Sequence, residues 1–267
     1  MNKKISIIGG GNLGSAIALG LISRGYTNAE NITITRRNPD KLAALLEKGM
    51  HVHSDNAKAV KEAEIVIMAV KPHQILQLLE VLAPHFDPQK HLLISVVTGV
   101  SIEEMQAFIP SPVPLFRAMP NTAIAIRESM TCIAVNNASQ EQKALVINLF
   151  EQVGKAIYVN EEYMEAATVL GACGVAYSLR FVRAASQGGI EIGFDANTAQ
   201  IIAAQTVKGA ASLLLEGGGH PEREIDKVTT PQGCTIAGLN EMEHQGFSSS
   251  LIKGIITSYN KIANIRK

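Results

Sequence analysis

The chain has no surplus of either charge. Its 267 residues carry 24 Lys and Arg against 24 Asp and Glu, so its net charge favours neither nucleic acid nor an anionic membrane as a partner. Cysteine is scarce. Cys132, Cys173 and Cys234 are odd in number, far apart and form no C-x-x-C, a pattern that points to neither a zinc site nor a disulfide framework. Cys132 falls in an expected strand and reads as a core residue. The seven histidines show no H-E-x-x-H or similar ligand spacing, and His51 and His53 merely alternate beside a strand. No metal is expected, and no histidine is assigned to catalysis. No apolar run reaches membrane-spanning length. The start of the chain lacks the order of a secretory signal, because its apolar run is short and breaks on glycines. A cytoplasmic protein is expected. A composition of 46% hydrophobic and 18% charged residues excludes a disordered chain, and the length suits one large or two ordinary domains.

What the sequence does have begins at its fifth residue. Ile5-Ser6-Ile7-Ile8 is an apolar, β-forming run that stops at Gly9-Gly10-Gly11-Asn12-Leu13-Gly14, and a helical pattern follows at once. This is G-x-G-x-x-G in the context a dinucleotide site requires. Gly9 permits a tight turn, Gly11 lets pyrophosphate approach the backbone, and Gly14 lets the helix lie against the strand. The helix N-terminus then offers N–H groups to phosphate. The alternative is a glycine turn with no ligand. A second strand, Asn31–Thr35, runs into Arg36-Arg37-Asn38. An NAD-preferring fold places an acid there, about 20 residues past the glycines, to accept from the ribose 2′-OH. Here Arg36 and Arg37 offer a fork suited to a 2′-phosphate, unless they are only a solvated basic turn. NADPH is expected over NADH, which remains possible but weaker.

The first half alternates strand and helix. Strands are expected at Lys4–Gly9, Asn31–Thr35, His51–Val52, Ile65–Val70, Leu92–Val97, Leu115–Ala118, Thr131–Val135 and Ala156–Val159. Helices are expected between them at Leu13–Arg24, Asp40–Lys48, Asn56–Glu62, His73–Leu82, Ile102–Phe108 and Gln140–Val153. That order predicts an α/β fold, a Rossmann-type doubly wound and mostly parallel sheet over residues 1–160. From Glu161 nearly everything reads as helix: Tyr163–Gly188, Asp195–Leu215, Glu222–Lys227, Thr235–His244 and Ser248–Ile265, with a break at Gly217-Gly218-Gly219. Residues 161–267 are therefore expected to form an all-α domain. Gly171, Ala172, Gly174 and Ala176 would let helices approach closely, and a second copy of the chain is expected against it.

Ligands in such sheets sit at strand ends. Three stretches fall there: Ala69-Val70-Lys71-Pro72, Ser95-Val96-Val97-Thr98-Gly99, and Arg117-Ala118-Met119-Pro120-Asn121-Thr122. Lys71 either faces the cofactor or is the first solvated residue after the core. Asn121 offers a donor and an acceptor near a nicotinamide, or belongs to an ordinary Pro-Asn turn. In the helical half, Val228-Thr229-Thr230-Pro231-Gln232-Gly233-Cys234-Thr235 runs straight into a helix. Hydroxyls and backbone N–H groups gathered in one turn suit a carboxylate; the alternative is a good helix cap.

Together these stretches resemble pyrroline-5-carboxylate reductase, the family that completes proline biosynthesis. The resemblance runs over essentially the whole chain. It rests on Gly9–Gly14, Asn56, Ala69–Pro72, Arg117–Thr122 and, most specifically, Thr229–Leu239. It implies reduction of 1-pyrroline-5-carboxylate to L-proline with NADPH by a Rossmann domain and a helical dimerisation domain, in a homodimer or higher homo-oligomer. By position it implies that Ile8, Gly9, Gly10, Gly11, Asn12, Leu13, Arg36, Asn56, Ala69, Val70, Lys71, Pro72, Val96, Val97 and Thr98 line the cofactor. Glu161, Lys227, Cys234 and Thr235 would lie near the substrate, and Thr230, Gly233 and neighbouring amides would hold its carboxylate. The chain departs from the family in four places. Cys173 and Val175 stand for a Ser and a Pro, so a straighter helix with one hydroxyl fewer is expected. Lys227 replaces Asn or Asp, and Gln232 stands where a second Gly is common. These bear on substrate affinity and range more than on reaction type.

The implied chemistry is hydride transfer to an imine carbon whose nitrogen must gain a proton. Thr235 is the expected catalytic residue, orienting the ring nitrogen and relaying a proton. Glu161 either balances the developing cation or caps the helix starting at Glu162. The rival reading is another NADPH-dependent imine or β-hydroxyacid reductase, and a hydroxyacid enzyme would want a lysine mid-helix. Residues 161–193 contain none. A cofactor-binding sensor without turnover is the other rival; the polar set Thr229, Thr230 and Thr235 argues against it.

Overall fold

A computed structural model describes residues 3–265. Its first half runs β1 (Ile5–Ile8), α1 (Asn12–Ser23), β2 (Ile32–Thr35), α2 (Ala43–Leu46), β3 (His51–His53), α3 (Asn56–Glu62), β4 (Ile65–Met68) and α4 (Pro72–Leu82). Then come β5 (Leu92–Ser95), α5 (Ile102–Gln106), β6 (Leu115–Met119), β7 (Ser129–Asn136), α6 (Gln140–Glu151) and β8 (Gly154–Tyr158). The eight strands form one sheet in the order β3-β2-β1-β4-β5-β6-β7-β8. All pairs are parallel except β6–β7. The exception has a local cause. No crossover helix separates those two strands; a tight turn does, in which Asn121 caps a short 3₁₀ segment, Thr122–Ile126, and Arg127 takes a left-handed φ of 63°.

The central strands are buried on both faces, as near-continuous Val/Ile/Leu runs require. Alternation divides them between two cores. Ile5, Ile7, Ile65 and Ile67 pack in one, with Ile17, Leu21 and Phe150. Ile8, Val66 and Met68 pack in the other, with Val60, Ile75 and Leu79. The helices thus cover both sides, and the strands' carboxyl ends are left as the open rim.

β4 and β5 stop at Met68 and Ser95, short of the expected Val70 and Val97. Ala69, Val70, Val96 and Val97 therefore lie just past the ladder. The expected helix over Asp40–Lys48 is split into a 3₁₀ turn, Pro39–Leu42, and the short α2.

The helical half comprises α7 (Met164–Ala167), a π-wound stretch Thr168–Cys173, α8 (Gly174–Glu191), α9 (Ala196–Gly217), α10 (Pro221–Val228), α11 (Cys234–His244) and α12 (Phe247–Ile265). Compactness divides the chain at Cys173 and Gly174, later than the change of pattern near 160. The reason is physical: Met164, Thr168 and Val169 are buried within the nucleotide unit, and ion pairs hold their helix there. In the second unit, α8 and α9 pack on each other, and Gly218, at φ 62°, ends α9 at the expected glycine break. None of α8's residues is buried, and Leu179, Ile201, Leu213 and Leu215 are all more than half exposed.

Candidate active site

The glycine turn is built as its spacing requires. Gly9 has φ 116°, and a Cβ there would sit 2.5 Å from the carbonyl oxygen of Ala69. A Cβ on Gly14 would be driven into the carbonyl oxygen of Gly9, so only glycine lets α1 lie this close to β1. Gly11 differs. Its φ is an ordinary −85°, and a Cβ there would meet nothing within 4 Å. The space beside it is open, which is what an approaching pyrophosphate needs. Gly11 is also the N-cap of α1; no side chain caps that helix and its first turn holds no acid. The helix start therefore favours an anion.

A groove of about 530 Å³ opens over this turn. Ile8, Gly9, Gly10, Gly11, Arg36, Arg37, Asn56, Ala69, Val70 and Lys71 line it, all of them expected from the sequence. Arg36 is anchored: its Nη1 donates to the carbonyl oxygen of Gly10 at 2.9 Å. Asn56 begins α3, whose N-cap Asp55 accepts from the Lys58 N–H at 2.9 Å. That backbone hydrogen bond holds the Asp55 carboxyl below its usual range. The groove also takes in Thr35 and Asn38, which flank the two arginines in sequence, and Lys41, Ser54 and one flank of α4, which the sequence reading did not pick out. Lys41 had a signal, being a cation five positions past Arg36. The α4 flank had none, since it reads as the outer face of an ordinary amphipathic helix. Arg36, Arg37, Lys41 and Lys71 put four cations around one groove, with no acid lining it. An open glycine turn beside a cation cluster fits a dinucleotide carrying an extra phosphate.

Other expected cofactor residues fall outside this lining. Asn12, Leu13, Gly14 and Pro72 lie in the first turns of α1 and α4. Val96 and Val97 bury their side chains, one in each core. Thr98 is exposed, its hydroxyl 3.6 Å from the sulfur of Met119. Asn121 is committed twice: Oδ1 accepts from the Ala123 N–H at 2.9 Å, and Nδ2 donates to the Gly171 carbonyl at 3.0 Å. The second bond holds the π-wound stretch, so the straight helix expected where Val175 replaces a proline is interrupted just before it.

Glu161 is likewise occupied. Its Oε1 accepts from Arg117 Nη1 at 2.8 Å and from the N–H of Ile102, the first residue of α5, at 3.1 Å. Arg117 is 1% exposed in mid-strand, and Glu165 lies 3.6 Å from its other terminal nitrogen. The glutamate thus caps α5 and neutralises a buried guanidinium, neither of which the sequence spacing revealed.

In the helical unit, the threonine turn joins α10 to α11. Thr229 ends α10, its hydroxyl donating to the Asp226 carbonyl at 3.1 Å. Gln232 has a left-handed φ of 58°, the conformation for which glycine is usual. Gly233 is pressed against Thr230: a Cβ there would lie 2.5 Å from the Thr230 hydroxyl. Gly233 is also the N-cap of α11, again with no side-chain cap. Cys234 and Thr235, in the first turn, are exposed. Lys227 pairs with Glu224 at 2.7 Å on the surface of α10.

The family model for pyrroline-5-carboxylate reductase dimerisation matches residues 161–265, and that for NADP oxidoreductase, coenzyme F420-dependent, matches residues 4–99. Pyrroline-5-carboxylate reductase 2 of Dictyostelium discoideum is 46% identical over 97% of this chain and 92% of its own length. Reductase 1 of that organism is 47% identical over 98% of this chain, which spans only 49% of that longer protein. Among solved structures, a pyrroline-5-carboxylate reductase from Coxiella burnetii superposes with a TM-score of 0.93 at 31% identity, covering 100% of both chains. A Plasmodium falciparum pyrroline carboxylate reductase with NADP bound shares the fold, with a TM-score of 0.88 at 23% identity over 100% of this chain and 99% of that one.

Proposed function

This chain belongs to the pyrroline-5-carboxylate reductase family, and on that premise we propose how it reduces 1-pyrroline-5-carboxylate to L-proline. NADPH, when bound, supplies the hydride that reduces the imine carbon. The chain's residues do the rest. Arg36 and Arg37, with Lys41, hold the 2′-phosphate, while Gly11 and the start of α1 take the pyrophosphate. The uncapped start of α11 holds the substrate carboxylate through backbone N–H groups at Gly233, Cys234 and Thr235, with Thr230 beside them. The Thr235 hydroxyl hydrogen-bonds the ring nitrogen and relays a proton to it. A threonine hydroxyl is a weak acid, so fixing the angle between the reacting carbon and the hydride donor carries much of the acceleration. Glu161 acts as a positioning residue through Arg117 and α5, its Oε1 accepting from both the Arg117 guanidinium and the Ile102 N–H.

The observation that carries this reading is a pair of helix starts, those of α1 and α11, left uncapped. Each has glycine at the N-cap, one among cations and the other among threonines. Two anionic groups, a dinucleotide phosphate and a carboxylate, need two such places. We further propose a homodimer, or a larger assembly, through the helical unit. Its large exposed apolar side chains on α8, α9 and α12 exceed what a monomer's surface usually carries. The three cysteines, all free, suit a reducing compartment such as the cytoplasm.

The test is consumption of NADPH with pyrroline-5-carboxylate and detection of proline, with Thr235→Ala alongside. The variant should lose most of kcat while binding NADPH normally. A kcat within about threefold of wild type, less than 1 kcal/mol, would remove Thr235 from the mechanism.

A further inference from the structure

We infer that Asn121 is a positioning residue for hydride transfer, acting through the π-wound stretch Thr168–Cys173, which it latches at the nicotinamide end of the rim. The inference rests on the reading of the groove as an NADPH site. Asn121 is 9% exposed, and its four polar atoms are all bonded. Its N–H donates to the Ser129 hydroxyl at 3.0 Å, and its carbonyl accepts from the Ile124 N–H at 3.1 Å. Oδ1 caps the turn through the Ala123 N–H, and Nδ2 reaches the Gly171 carbonyl, 50 residues away in sequence. Ser129 and Thr131, buried in β7, stand behind the turn with their hydroxyls 3.4 Å apart. Serine or aspartate would cap the turn as well. What needs the amide is the bond to Gly171. That bond holds an unusual element. Stretches of π winding are rare inside helices and are frequent at functional sites. Two side chains serve carbonyls along this one: the Thr168 hydroxyl donates to the Met164 carbonyl at 2.7 Å at its entry, and Asn121 takes the Gly171 carbonyl further on.

The sheet order says what the stretch flanks. Arg36 and Arg37 follow β2 and the glycine turn follows β1; β4, β5 and β6 continue from β1 in that order, away from β2. A dinucleotide with its 2′-phosphate at β2 and its pyrophosphate at β1 carries its nicotinamide along the ends of β4 to β6. Asn121 is the second residue past β6. The stretch it holds is bare backbone at Gly171, where a Cβ would meet nothing within 4 Å. Relaxing from π to α winding would shift that backbone by about 1.5 Å, the rise of one residue. A misplacement of about 1 Å at a reacting pair costs on the order of a hundredfold in rate. The latch thus bears on the rate although Asn121 touches no reacting atom.

Asn121→Ser and Asn121→Asp both keep an oxygen for the Ala123 N–H and remove the donor to Gly171. Single-turnover oxidation of bound NADPH by saturating pyrroline-5-carboxylate separates positioning from mere stability. Loss of folded enzyme lowers the amplitude at an unchanged rate constant. Misplacement lowers the rate constant at full amplitude. Both variants should show a rate constant lower by about tenfold or more, with the NADPH dissociation constant within about threefold of wild type. Hydrogen exchange over residues 168–173 should quicken in both. A rate constant within about threefold of wild type in both variants, or unchanged exchange over 168–173, would overturn the inference. A larger loss of NADPH affinity would also overturn it, by making Asn121 a ligand contact. If wild type oxidised no NADPH with this substrate, the proposed function would itself fail, while quickened exchange in the variants would still establish the latch.

Discussion

Two glycines three residues apart should respond to alanine in opposite ways. At Gly14 the added Cβ collides with the Gly9 carbonyl oxygen and lies 3.1 Å from Ile7 Cγ2. The first obstacle is backbone, so α1 must move off β1, an overpacking strain of about 1–3 kcal/mol or more. At Gly11 the backbone is already in a region open to alanine, and the new methyl meets nothing. Reduced freedom of the unfolded chain contributes about 0.4–1 kcal/mol of stability, and the poorer N-cap removes a similar amount, about 1 kcal/mol. Gly11→Ala should therefore melt within a few degrees of wild type. Its methyl occupies the place where phosphate must approach. Losing one charge-assisted hydrogen bond from the backbone, about 1.5–3 kcal/mol, weakens NADPH by roughly tenfold to a hundredfold. Thermal unfolding of the nucleotide-free proteins and a fluorescence titration with NADPH separate the two effects. Gly11→Ala binding NADPH within about threefold of wild type, a change below 1 kcal/mol, would refute the placement of phosphate at this turn. So would Gly14→Ala folding with undiminished stability.

Arg36→Ala should raise the NADPH dissociation constant by about tenfold or more and leave NADH within about threefold, since only the former carries the 2′-phosphate; parallel titrations decide. Glu161→Gln should destabilise the fold by about 2 kcal/mol in urea unfolding. Its partner Arg117 is buried, but Glu161 is itself about a third exposed and Glu165 remains. An unchanged midpoint would mean the pair is idle. Burial pushes the His91 imidazole below its ordinary pKa, so the folded state keeps it neutral where the unfolded state takes a proton. Stability should therefore fall as pH drops below about 6.5. His91→Asn keeps an acceptor for the Asp87 N–H that His91 Nδ1 now serves, and should flatten that part of the urea-midpoint profile.

Much of the fold was legible because local chemistry decides it. Strands such as Ile65-Val66-Ile67-Met68 are apolar throughout and so must be buried on both faces; Gly9, Gly11 and Gly14 are spaced for one turn. The lining of the groove over the glycine turn was legible for the same reason, as far as short segments at strand ends could carry it. What escaped depends on distant partners. Arg117 sits in a strand that otherwise reads as core, and nothing near it in sequence announces Glu161, 44 residues away. That pair keeps the first helical turns after 160 on the nucleotide unit, so composition and compactness divide the chain at different places. Asn121 was legible as a turn former but not as the holder of the Gly171 carbonyl. The flank of α4 reads as the outer face of an ordinary amphipathic helix, and only the groove beside it singles it out.

The central claim is that the glycine turn at the start of α1 takes the dinucleotide phosphate and the threonine turn at the start of α11 takes the substrate carboxylate. A crystal structure of the assembled protein with NADP and L-proline tests it most directly. The account predicts the proline carboxylate on the backbone N–H groups at the start of α11, and the ring nitrogen within hydrogen-bond reach of the Thr235 hydroxyl. The nicotinamide should lie against the ring carbon. Proline bound elsewhere, with the Thr229–Thr235 turn making no contact to its carboxylate, would contradict it.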